Sequence, residues 1–106
     1  MPEKHYNKLV RDNIPAIIKK QGEKPVTKKI REEKEFEEYL GKKLIEEAKE
    51  YYETKQLEEL LDVMEVLYSI LNHKGIDLSD FEKRRLLKKK ERGGFDERIL
   101  LLKVIE

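Results

Sequence analysis

Two short runs of acids carry the chemistry open to this chain: Glu46-Glu47-Ala48-Lys49-Glu50 and, after a gap of eight residues, Glu59-Leu60-Leu61-Asp62. Both lie in segments whose apolar residues recur at helical spacing, with Thr54-Lys55-Gln56 as the break between them. At about 1.5 Å of rise per residue, a hairpin closed at that break sets Glu50 level with Glu59 and Glu47 level with Asp62. On its own helix Glu47 falls within the apolar arc, between the angular positions of Phe36 and Leu40, and Glu59 projects between Val66 and Ile70. A single such glutamate is an ordinary solvated acid. Four in facing layers repel one another and raise their own pKa values unless a cation lies between them, so the spacing points to a metal site.

The donor types select the metal. Cysteine is absent, and neither His5 nor His73 falls within the cluster, His73 lying about 16 Å beyond Asp62 along its helix. Zinc is therefore disfavoured, and the acids have neither the glycine-centred loop of an EF-hand nor the Glu-x-x-His pairs of a di-iron bundle. An all-oxygen set fits Mg²⁺, or Mn²⁺ in its place. Because Mg²⁺ is commonly shared with substrate phosphates, an inward carboxylate pocket implies a phosphorylated substrate and hydrolysis at phosphorus.

The pattern Glu-Glu-x-x-Glu followed by Glu-x-x-Asp resembles the signature of the MazG-like all-α nucleoside triphosphate pyrophosphohydrolases, relatives of phosphoribosyl-ATP pyrophosphohydrolase. The opening Tyr6-Asn7-Lys8-Leu9-Val10-Arg11-Asp12-Asn13-Ile14-Pro15 and the closing Glu91-Arg92-Gly93-Gly94-Phe95 are similar to a small single-domain, house-cleaning branch of that family. The resemblance implies Mg²⁺-dependent cleavage of a nucleoside triphosphate, non-standard or surplus, to the monophosphate and pyrophosphate. It implies Glu47, Glu50, Glu59 and Asp62 as metal ligands, with Glu46 beside them to orient or deprotonate the attacking water. Two alternatives stand beside it: phosphoribosyl-ATP hydrolysis, and a non-catalytic oligomeric module that binds nucleotides or partner helices.

Basic residues complete the candidate site. Arg92-Gly93-Gly94-Phe95 combines a bidentate phosphate donor, exposed backbone N–H groups and an aromatic face, and Lys8 and Arg11 add further phosphate contacts. The residues just before Arg92 read as a helix, and Arg84, Arg85, Lys88 and Lys89 on it read as solvated charges favoured by the dipole near its C-terminus.

The elements that must position these residues follow from periodicity and capping. A short helix with Asp12 or Asn13 as N-cap ends at Gln21-Gly22. The two long helices span Glu32–Glu53 and Leu57–His73, the second closed by Lys74-Gly75. A last helix starts at Ser79 or Asp80 and runs to about Glu91. Weak alternation over residues 25–30 and an apolar run over residues 97–104 predict a small peripheral β element. At 106 residues the chain is read as a single domain, residues 1–106, mainly α. Apolar residues make up only 38% of it and charged ones 44%, so a helical hairpin forming a four-helix-type bundle with other copies, as a dimer or tetramer, is the expected way to bury its faces. A net charge of +1 favours neither nucleic acid nor an anionic membrane as partner. With no membrane-length apolar stretch and no signal-peptide core, the chain reads as cytoplasmic.

Overall fold

The computed structural model describes residues 2–106 and contains four helices and, among those residues, no strand: α1 (Ile14–Lys20), α2 (Glu33–Thr54), α3 (Leu57–His73) and α4 (Leu78–Arg92). Pro15 limits where α1 starts, because its ring nitrogen has no hydrogen to donate to the Arg11 carbonyl that an earlier start would present. Asn13 takes the N-cap position without a side-chain hydrogen bond. Lys19 and Lys20 sit where the helix dipole favours positive charge.

The α2–α3 hairpin is the framework. Its turn is Lys55-Gln56, one residue shorter than the expected break. Lys55 adopts the left-handed conformation (φ 60°) and donates its backbone N–H to the Tyr51 carbonyl at 2.7 Å. Its ammonium lies 4.0 Å from the Tyr52 ring centroid, a cation–π contact across the same turn. At the other end, α3 stops in a Schellman arrangement. Ile76 N–H reaches the Leu71 carbonyl at 2.9 Å and Gly75 N–H reaches that of Asn72 at 3.0 Å, with Gly75 at φ 68° where a side chain would be strained. Asp77 then caps α4, its carboxylate accepting from Ser79 N–H at 3.2 Å. The cap precedes the expected one because Ile76 is held by the Schellman bond, which leaves Asp77 as the first residue free to take an extended backbone.

The hairpin's register sets Phe36 edge-to-face on His73, ring centroids 5.2 Å apart, and Glu47 beside Asp62. Leu40, Val66 and Leu71 form the buried core between these levels. His73 therefore serves the helix end, as its distance from the acids implied. No helix among the described residues is long and apolar enough to cross a membrane.

The predicted β element does not form. Val26 is 98% exposed, and Ile99 to Leu102 are each at least 75% exposed, with neither stretch pairing its backbone. One stretch precedes α2 and the other follows α4, and α4 does not fold back extensively on the hairpin, so nothing brings them side by side. A lone two-stranded ribbon would in any case be marginal in water.

Candidate metal centre

Glu46, Glu47 and Glu50 share one flank of α2 because residues three and four apart are neighbours on a helix. Glu59 and Asp62 do the same on α3, and the hairpin turn brings the flanks together. One carboxylate oxygen from each of Glu46, Glu47 and Glu50 lies within 4.8 Å of the others; the same holds for Glu47, Glu59 and Asp62. Glu47 belongs to both groups.

Glu47 is also the acid the fold has buried. It is 5% exposed, and its Oε2 has no hydrogen-bond partner among the described residues, while Lys43 Nζ lies 3.2 Å from Oε1. Acid clusters on helix surfaces are common without ions, but a buried, unpartnered carboxylate oxygen is costly. Burial pushes the Glu47 carboxyl above the ordinary glutamate range, and the charges of Glu50 and Asp62 add to that shift against the opposing pull of Lys43. The donor set is all oxygen, and the Glu47 carboxylate lies among acids from both helices, so the residues fit a hard divalent cation such as Mg²⁺.

Three cations already border the cluster. Lys43 Nζ is 2.7 Å from Glu46 Oε2, Lys8 Nζ is 3.4 Å from Glu46 Oε1, and Arg11 Nη2 is 2.7 Å from Asp62 Oδ1. The hydrogen bond from Lys43, above all, holds the Glu46 carboxyl below the usual range. Burial acts to depress the Lys43 ammonium, but its bonds to Glu46 and Glu47 outweigh this and raise it overall. Lys43 was not singled out from the sequence, although its i,i+3 and i,i+4 spacing to Glu46 and Glu47 was the available signal.

The fold thus gathers Glu46, Glu47, Glu50, Glu59 and Asp62 with Lys8 and Arg11, each of the two cations paired with one of the acids. It does not gather Arg92, Gly93, Gly94 and Phe95 with them. Arg92 ends α4 and the other three follow it, all exposed, Phe95 at 96%, and Arg92 makes no ion pair among the described residues. A cleft of about 50 Å³ lined by Lys8, Lys43 and Glu46 adjoins the acids. The wider groove, about 380 Å³, lies nearer the far end of the hairpin beside Gly41, Ile45 and His73. The acids carry the argument, since that groove shares none of them.

Fold and site define a small all-α, four-helix protein with acidic clusters on a helical hairpin. No protein-family model matches the chain, and no curated protein or solved structure matches it significantly.

Proposed function

We propose that the protein is a Mg²⁺-dependent nucleoside triphosphate pyrophosphohydrolase of the MazG-like kind, acting on non-standard or surplus nucleotides. The observation that carries the reading is Glu47: a buried carboxylate with an unpartnered oxygen, facing acids from the neighbouring helix. Glu47, Glu50, Glu59 and Asp62 would hold the ion. When bound, Mg²⁺ supplies Lewis-acid polarisation of the phosphate oxygens and lowers the pKa of a coordinated water.

The chain's own groups do the rest. Glu46, kept ionised by Lys43, accepts a hydrogen bond from the attacking water and aims its oxygen at the α phosphorus. The new bond joins that oxygen to the α phosphorus as the bond to the α–β bridging oxygen breaks; the water's proton passes to Glu46, and pyrophosphate leaves with the bridging oxygen. Lys8 and Arg11, whose present partners are acids at the edge of the cluster, are positioned to transfer their hydrogen bonds to the triphosphate. Their positive charge then offsets what accumulates on the leaving group.

The same reading takes the working unit to be a homo-oligomer. Leu57, Leu61, Met64 and Tyr68 form a stripe on α3 at coiled-coil spacing, and all four are exposed in the single chain. Pairing of such stripes gives a four-helix bundle.

The test is a panel of nucleoside triphosphates with Mg²⁺, the products separated chromatographically. Monophosphate and pyrophosphate appearing together in one step is the expected result. Diphosphate with orthophosphate, or no turnover of any member, would refute the proposal and favour a non-catalytic binding module.

A further inference from the structure

We infer that the C-terminal arm, residues 78–105, docks across the α2–α3 hairpin of a second copy of the chain and closes that copy's acid cluster with basic groups its own chain does not bring there. The inference rests on the reading of the cluster as a nucleotide site. Four observations support it.

The first is area. The chain exposes 10549 Å², against about 6,200 Å² for a compact monomer of its mass. The excess, roughly 4,300 Å² per chain, is several times the ~800 Å² per partner that a standard interface buries. The second is shape. Its radius of gyration is 18.5 Å and its longest extent 61 Å, where a self-contained domain of this length would have a radius of about 13 Å. The arm is part of the reason, since α2 and α3 are the pair of helices in extensive contact among the described residues.

The third is charge. The net +1 conceals a division: residues 33–73 carry twelve acids against five Lys or Arg, a net of −7, whereas residues 78–105 carry nine Lys or Arg against five acids, a net of +4. The arm and the hairpin are complementary, yet they do not cover one another within one chain. A second copy meets both needs, because each chain offers one arm and one hairpin, so a two-fold pair satisfies both. The fourth is the cleft. About 50 Å³ beside the acids is far short of the roughly 300 Å³ or more of a small-molecule pocket. Arg92 and Phe95, exposed at the end of α4, supply the missing wall, and the apolar tail Ile99 to Leu102, 75–84% exposed, anchors it.

The chain contains no cysteine, so Glu106→Cys takes a single nitroxide label beyond the apolar tail, in the intact protein. Labelled copies are mixed with ¹⁵N-enriched copies that carry no label. Amide signals of residues 46–62 in the ¹⁵N copies should broaden, and reducing the nitroxide should restore them. Leu100→Asp combined with Leu102→Asp, both at exposed positions, should abolish the broadening and weaken self-association at least tenfold, since two carboxylates would then have to be buried where leucines were. A parent of twice 12.7 kDa without broadening in residues 46–62 would overturn arm docking alone. A parent of 12.7 kDa by light scattering would overturn it together with the oligomer. Pyrophosphate release from the same samples reports on the hydrolase reading independently of either result.

Discussion

Replacing Glu47 by glutamine keeps the side-chain shape and removes the charge the structure has buried. In the metal-free protein the unpartnered Oε2 becomes an amide that can donate toward the neighbouring carboxylates. Leaving a buried polar group unsatisfied costs about 1–3 kcal/mol. Against the relief of that cost stands the loss of part of the Lys43 pairing, moderated because Lys43 retains Glu46 at 2.7 Å. A net gain of about 1 kcal/mol follows. At about 2.1 cal/mol/K per residue of unfolding entropy, that gain raises Tm by ~5 °C. Mg²⁺ should reverse the order. At about 100 times its Kd a ligand specific to the folded state adds about 2.7 kcal/mol, or ~12 °C here, to the parent. Glu47→Gln loses the acid common to both ligand groups and should respond by less than about 3 °C. Thermal melts of both proteins, in chelator and across a Mg²⁺ series, read the two effects separately. Equal Mg²⁺ responses would refute the ligand assignment, and a destabilised metal-free variant would refute the account of the orphaned oxygen.

Lys43→Met should destabilise the metal-free protein by roughly 2–3 kcal/mol, because Glu46 and Glu47 lose their shared cation. It should also bind Mg²⁺ more tightly, which calorimetric titration checks; weaker binding would show that Lys43 organises the site rather than competing for it. Adjacent acids should show opposite pH dependence in the metal-free protein. Glu47, raised by burial, carries a cost that is fully present above its folded pKa and is relieved as pH falls through that pKa toward the ordinary 4.5, so the parent should gain on Glu47→Gln across that window. Glu46, lowered chiefly by its bond from Lys43, adds stability above 4.5 that is lost as pH falls further, so the parent should lose ground to Glu46→Gln there. Melting curves at several pH values test both signs, and parallel slopes would refute the assignments. Gly75→Ala should cost about 1 kcal/mol by denaturant unfolding, because its left-handed backbone disfavours a Cβ although no atom lies within 4 Å to clash.

Legibility from the sequence followed the range of the interactions. Leu57–His73 could be read to the residue because Gln56 and Gly75 bracket a strong apolar period, and Glu47 could be placed inward because one helix wheel fixes its direction. The pairing of Glu47 with Asp62 needed one further step, a short turn, and that too is local. The two candidate strands failed because their pairing depended on how α4 travels after Asp77, which no local pattern encodes. Lys8 and Arg11 are intermediate cases. Their charge drew them to the acid cluster, but the sequence could not say that Glu46 and Asp62 would be their immediate partners.

That last pairing bears on how the site would work. Arg11 on Asp62 and Lys8 on Glu46 neutralise the cluster's outer acids from positions that cost little to change, since both lie in an irregular segment before α1, whereas Lys43, the other partner of Glu46, is fixed on α2. Glu47 differs: its neighbours lie on rigid helices, and no side chain of the fold reaches its second oxygen. On the proposed reading, a divalent ion would satisfy that oxygen and free Arg11 and Lys8 for an incoming anion, so metal and triphosphate binding would each make the other more favourable. Mg²⁺ affinity should then rise when a non-hydrolysable triphosphate analogue is present, and Arg11→Ala should reduce that coupling while leaving Mg²⁺ binding alone intact or tighter. Independent binding of the two in the parent, by calorimetric titration of each in the presence of the other, would mean that the exchange of partners does not occur.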